Sequence, residues 1–159
     1  MVYSLARHFL GDPSAAEEVA QDVFLQLHRN LGSIKSASHL TYWLRKVTAH
    51  RSIDCARRRR PEPPVSLDDV AEPVAPGSSL DSSRDGAPDP AVAERLQALV
   101  RALPEKRRMV VILRYQEELE LHEIAELLDM PINSVKSSLQ RSLAILREKL
   151  TRCFGDVPV

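Results

Sequence analysis

The segment LHEIAELLDMPINSVKSSLQR, Leu121–Arg141, decides how this chain folds. Ile124, Ala125 and Leu128 fall on one face of a short helix over about residues 121–128, and Val135 and Leu139 fall on one face of the helix that follows. Between them Asp129-Met130-Pro131 interrupts the pattern: proline has no N–H to donate, and aspartate tolerates the left-handed backbone of a tight turn better than most residues. The small Ala125 lets the second helix approach closely. Two short helices joined in this way have helix-turn-helix geometry. In that motif the second helix offers its polar N-terminal face to the DNA major groove, and here the face carries Asn133, Ser134, Lys136, Ser137, Gln140 and Arg141. Asn and Gln pair with adenine edges, Arg and Lys with guanine or phosphate. A helical hairpin with a solvated face has the same local pattern, so the rest of the chain has to decide between the two.

The neighbouring segments are helical as well. Val135, Leu139, Leu143, Leu146 and Leu150 form one continuous stripe, so the second helix is long. Before the motif, Pro90 opens a helix with Val92, Leu96, Leu99, Val100 and Leu103 aligned, and Pro104 opens another through Met109, Ile112 and Leu113 to Tyr115. Near the N-terminus, residues 1–10 read as the end of a helix closed by Gly11. Ala16, Val19, Ala20, Val23, Phe24 and Leu27 then make one apolar stripe, its start marked by Asp12-Pro13 and by the capping-box spacing of Ser14 and Glu17. A third helix begins near Ser38 with Leu40, Trp43, Leu44 and Val47 on one face. Ile53 lies about 120° off that stripe at roughly 100° per residue, which predicts a kink or break near Thr48–Arg51.

The formal net charge is zero, but the charges are segregated. Residues 1–60 carry ten Lys/Arg against five Asp/Glu, residues 61–94 one against eight, and residues 95–159 eleven against nine. Pro61 to Pro90 holds seven of the eleven prolines, with Gly77-Ser78-Ser79 and Asp81-Ser82-Ser83 between them. Such a stretch cannot bury enough apolar surface to offset its ordering entropy. The expected organisation is therefore all-α: a helical domain at 1–60, a flexible acidic Pro/Ser-rich linker at 61–88, a helix-turn-helix domain at 89–152 and a tail at 153–159.

Other classes are disfavoured. No apolar run approaches the ~18 residues needed to cross a bilayer, so no membrane insertion is expected. The N-terminus shows no signal-peptide pattern, which points to a cytoplasmic protein. Cys55 and Cys153 make no metal-spaced pair, and His8, His28, His39, His50 and His122 do not cluster as ligands. With no phosphate-cradling glycine loop and no nucleophile beside an evident base, neither an enzyme nor a cofactor or metal is expected. The segment from Trp43 to Asp54 and the run Arg57-Arg58-Arg59-Arg60 place cations beside an aromatic anchor, a platform for DNA phosphates and unstacked bases. Alone this is weak, since Trp43 also suits a core and arginines suit a helix C-terminus.

Taken together, three segments resemble the sigma-70 family of RNA polymerase sigma factors. Ala16 through Leu27 resembles the polymerase-binding helix of region 2; Trp43 through Arg60 resembles its melting and −10 recognition segment; and Leu103-Pro104 through Leu150 resembles region 4. Region 2, linker and region 4, with nothing like region 3 between, is the order of the extracytoplasmic-function (ECF) subfamily. The resemblance implies a region 2 bundle and a four-helix region 4 domain. It implies that Glu18, Gln21 and Asp22 bind the clamp helices of the largest polymerase subunit, with the flap as a second polymerase contact. It also implies that Trp43, Lys46, Thr48, His50, Arg51, Ser52, Arg57, Arg58, Arg59 and Arg60 serve the −10 element, with Thr48 to Ser52 in a loop that captures a flipped base. Asn133, Ser134, Lys136, Ser137, Gln140 and Arg141 would read the −35 element.

The sequence departs from the family pattern at several positions. His50 stands where Asn is frequent, Ser138 and Gln140 where Arg and His or an aromatic are common, and Asp129 replaces a frequent turn glycine. Against the family pattern, some ten to twenty residues of the first long helix are missing before Met1, whether through a late start, a shortened chain or a trimmed domain. The partners implied are core RNA polymerase, promoter DNA and an anti-sigma factor. The alternative is an autonomous helix-turn-helix regulator, for which no dimerisation heptad is evident.

Overall fold

The computed structural model describes residues 1–60 and 90–154, all helix and short connections; the predicted linker and most of the tail lie outside the described residues. The N-terminal block comprises α1 (Val2–Leu10), α2 (Pro13–Asn30), a 3-10 turn at Leu31–Ser33 and α3 (Ala37–Arg59). The C-terminal block comprises α4 (Pro90–Arg101), α5 (Glu105–Tyr115), α6 (Leu121–Leu127) and α7 (Ile132–Phe154).

Local chemistry sets the helix ends. Gly11 closes α1 in the left-handed region at φ 76°, its N–H donating to the Arg7 carbonyl. Of the two start signals for α2, the first operates: the Asp12 side chain accepts from the Ser14 N–H, and Pro13 is the first helical residue. Ser36 caps α3 by accepting from the His39 N–H at 3.1 Å. Asp129 adopts φ 53°, as the turn between α6 and α7 requires, and the Met130 N–H donates back to the Ala125 carbonyl.

Two expectations are corrected. Phe24, placed in the buried stripe of α2, is 53% exposed, because α1 and α3 cover only the face bearing Ala15, Ala16, Val19 and Val23. The predicted kink in α3 is absent, and the helix runs unbroken from Ala37 to Arg59. Its apolar phase slips because the helix is covered on two sides. Trp43, Leu44, Val47 and Cys55 pack with Val2, Ala6, Ala16 and Val19 of α1 and α2. Ala49 and Ile53 pack instead with Leu5, Phe9 and the C-terminal residues Met109, Val110, Leu113, Ile124 and Leu127. Two separated stripes on one straight helix are the signature of burial on both faces.

The two blocks thus share a core. Phe9 is fully buried within it, and its ring lies 4.9 Å from the Arg108 guanidinium of α5. Arg108 Nη1 donates to the Phe9 carbonyl at 3.0 Å and Nη2 to the Leu103 carbonyl at 3.1 Å, so one side chain ties the end of α1 to the start of α5. Burial disfavours this charged group and pulls its pKa below the ordinary arginine value. Truncating Phe9 removes the ring from the shared cluster and the surface on which Arg108 rests. Phe9→Ala is expected to cost about 3–5 kcal/mol in urea unfolding followed by circular dichroism.

Candidate nucleic-acid interface

Two surfaces carry groups suited to DNA. The first is the N-terminal face of α7. Val135 is fully buried against Ile124 and Ala125 of α6, which turns the opposite face outward. Asn133, Lys136, Gln140 and Arg141 are exposed there, and Ser134 and Ser137 are half-buried beside them. The Ser137 hydroxyl donates to the Asn133 carbonyl at 2.6 Å, so its hydrogen is committed within the helix. The face therefore presents an amide pair and two cations along successive turns, with the spacing of a recognition helix.

The second surface is a cleft of about 410 Å³ along α3, lined by Tyr42, Trp43, Lys46, Val47, His50 and Arg51 together with Gln26, His39, Asp54 and Asp129. Aromatic walls and cations side by side suit a base and its phosphate. Tyr42, with Lys46 Nζ 6.0 Å from its ring centroid, escaped the sequence reading, as did Gln26, which accepts from Arg51 Nη2 at 3.4 Å. An aromatic pair at 42–43 was the available signal for Tyr42; Gln26 comes from another helix and had none.

Other predicted −10 residues lie elsewhere. Thr48 and Ser52 sit within unbroken helix rather than a loop, and both are fully buried. The Thr48 hydroxyl donates to the Leu44 carbonyl at 2.6 Å, whereas Ser52 Oγ has no hydrogen-bond partner among the described residues. Both face inward because α3 is covered on two sides, so neither opens onto the cleft. Arg57, Arg58, Arg59 and Arg60 are exposed at the end of α3. Arg59 pairs with Asp12 at 2.6 Å and Glu18 at 3.5 Å, and Arg60 pairs with Glu105 at 2.9 Å. Arg58 Nε donates to the Asp54 carbonyl at 3.4 Å.

The predicted polymerase-facing residues lie on the open side of α2. Glu18 and Gln21 are exposed and Asp22 is half-buried. Phe24 and Leu25, 53% and 58% exposed, extend this face with apolar surface.

One acid from the other block, Asp129, lines the α3 cleft. Asp129 accepts from Lys46 Nζ at 3.0 Å and lies 3.6 Å from His50 Nε2, which also approaches the Leu127 carbonyl at 3.0 Å. Outside the residues that line the cleft, Glu117 accepts from Arg45 Nε at 3.0 Å. The Lys46 hydrogen bond holds the Asp129 carboxyl below its ordinary value of 3.8 and raises the ammonium above 10.5. No group of His, Cys, Asp and Glu among the described residues could hold a metal ion, and no described helix is long and apolar enough to cross a membrane.

Known proteins share this arrangement. The family pattern for Sigma-70 region 2 matches residues 1–62 and that for Sigma-70 region 4 matches residues 93–146. A basic three-helix block followed by a helix-turn-helix block in this order is sigma-70 architecture. ECF RNA polymerase sigma factor SigW of Bacillus subtilis is 31% identical, the alignment covering 94% of this chain and 82% of the relative. ECF RNA polymerase sigma factor SigF of Caulobacter vibrioides is 30% identical over 94% of this chain and 78% of its own. The chain belongs to the ECF family of RNA polymerase sigma factors. Its fold is also that of the sigma factor RpoE from Bartonella quintana, solved in complex with the anti-sigma factor NepR, at a TM-score of 0.67 and 19% identity over 94% of this chain and 89% of that one.

Two measurements test this geometry. Because the Asp129 pKa is lowered on folding, its pairing stabilises the fold above pH 3.8 and is lost as the pH falls through the depressed value. In a carboxyl-carbon NMR titration Asp129 is expected to have its midpoint below 3.8, and in Lys46→Met the midpoint should move back up. Ser52→Ala removes a buried hydroxyl with no partner, so unfolding free energy is expected to stay level or rise by up to about 1 kcal/mol. DNA binding should be unaffected; a loss would show that Ser52 reaches DNA after all.

Proposed function

We propose that this chain directs core RNA polymerase to promoters, reading the −35 element with the exposed face of α7 and the −10 element with the aromatic and cationic cleft of α3. The observation that carries the reading is the pairing of two DNA-suited surfaces, one on each sigma-type block. Asn133, Lys136, Gln140 and Arg141 supply hydrogen bonds to base edges and phosphates from α7. Trp43, Lys46, His50 and Arg51 line a cleft in which an unstacked base would have an aromatic wall and its phosphate a cation. The polymerase contact is assigned to Glu18, Gln21 and Asp22, and the exposed Phe24 and Leu25 give that face the apolar anchors on which protein interfaces rely.

The reading assigns the chain no catalysis of its own and a cytoplasmic site of action beside the polymerase. Residues 61–88 serve as the linker between the two blocks. An anti-sigma factor is the expected regulatory partner; the fold likeness to an anti-sigma-bound sigma factor supports it, and release from that partner would make transcription signal-responsive.

Run-off transcription with purified core polymerase on a library of genomic promoters tests the proposal. Promoter-dependent transcripts are expected only when this chain is added, and their absence would overturn the reading. Tight binding of the free chain to a palindromic operator would favour an autonomous regulator instead. Within the same assay, Arg141→Ala is expected to lower transcription from −35-dependent promoters about tenfold, since a well-placed base contact is worth about 1–3 kcal/mol. Promoters that lack a −35 element should respond much less.

A further inference from the structure

A cavity of about 580 Å³ lies where the end of α1 meets α4, α5 and α7, and it shares no lining residue with either DNA-suited surface. Its size is that of a small-molecule site. The floor is apolar: Val111, Ile112 and Leu146 are buried, and Val100 and Leu143 are half-buried beside them. Two apolar side chains at its edge are exposed, Leu96 at 39% and Tyr115 at 57%. The charge around it is one-sided. Arg7, His8 and Arg101 line the cavity and no Asp or Glu does, whereas the α3 cleft contains Asp54 and Asp129. The two arginines converge on Gly11: Arg7 donates to its carbonyl, and a Cβ there would stand 2.8 Å from Arg101 Cδ and 3.0 Å from Arg101 Nη1. Arg101 Nη2 donates to Gln97 Oε1 at 3.4 Å, and neither arginine forms an ion pair among the described residues. A guanidinium carries five N–H groups, so donors remain on both.

We propose that this cavity binds a small amphipathic anion, a medium-chain aliphatic carboxylate, with its charged end on Arg7 and Arg101 and its chain over Val100, Val111, Leu143 and Leu146. Two like charges brought to one glycine without an acid between them attract an anion. The apolar floor rewards an aliphatic body on that anion and gives nothing to a bare one. Arg7, His8 and Gly11 belong to the N-terminal block and the other lining residues to the C-terminal block, so the occupant touches both. The site does not depend on the assignment of either DNA-suited surface, and promoter-directed transcription stands or falls separately from it.

The test titrates the methyl-labelled full-length chain with octanoate, decanoate and dodecanoate, read by two-dimensional NMR and by calorimetry. Decanol, decyltrimethylammonium, acetate and an acidic amphipathic helical peptide are the comparison ligands. Arg101→Gln removes one of the two charges at an exposed position. Arg152→Gln removes the same charge near the far end of α7, outside the cavity.

Decanoate is expected to shift the methyls of Val100, Val111, Ile112, Leu143 and Leu146, and to bind about tenfold more tightly than decanol, decyltrimethylammonium or acetate. Affinity should rise about three- to fourfold with each added methylene until the cavity is filled. R101Q should weaken decanoate about tenfold while R152Q leaves it unchanged, and decanol should not distinguish the two variants. Equal affinity for decanoate and decanol, or equal decanoate affinity in R101Q and R152Q, would overturn the proposal. So would methyl shifts centred on Leu25 rather than on the cavity, or no shift at millimolar decanoate. Binding of the peptide at these methyls without binding of decanoate would make the cavity a protein-docking face and overturn it as well.

Discussion

Helix α3 has to be covered from two sides, and much of the rest follows from that constraint. Its residues 43, 44 and 47 need the cover of α1 and α2, and its residues 49 and 53 need a second cover that the N-terminal block supplies only in part, with Leu5 and Phe9. Left in water, Ala49 and Ile53 would expose apolar surface at roughly 25 cal/mol per Å². The C-terminal block provides the cover with Met109, Val110, Leu113 and Leu127. One straight helix thereby becomes the common wall of two helical layers. Arg108, seated over the Phe9 ring with its donors on two carbonyls, pins the edge of that contact.

The same constraint divides the residues of α3 between the core and the cleft. Thr48 and Ser52 are drawn inward and spend their surroundings on packing, whereas Trp43, Lys46, His50 and Arg51 remain along the cleft. Bringing the second block against α3 also brings its acids. Charges that are far apart in sequence, Arg45 with Glu117 and Lys46 with Asp129, become neighbours only because the apolar contact sets the register. Hydrophobic burial is non-directional and supplies the closure; the ion pairs are directional and fix where it lands.

At the other DNA-suited surface the balance runs the opposite way. The core side of α7 is fixed by Val135 and Leu146 against α4, α5 and α6, so its polar N-terminal face stays exposed among the described residues. This chain thus leaves the polar face of α7 exposed, while Asp129 of the C-terminal block lines the α3 cleft. The asymmetry comes from which apolar stripe each helix carries: one on α7, two on α3.

Local sequence alone determined the helices, their caps and the helix-turn-helix. Gly11, Asp12-Pro13 and Asp129 act through their own backbone conformations, and the stripe from Val135 to Leu150 shows in any helical projection. The order of the family segments was equally legible, as was the polar face from Asn133 to Arg141. Only the tertiary structure decided what the phase slip between Val47 and Ile53 means. A period read along one helix cannot distinguish a bend from a second neighbour, since both shift the apolar face. For the same reason the burial of Thr48 and Ser52, the exposure of Phe24, and the meeting of Asp129 with Lys46 across 83 residues could not be read from the chain. Each depends on which element packs against which, and that is a property of the folded pair of blocks rather than of any segment within them.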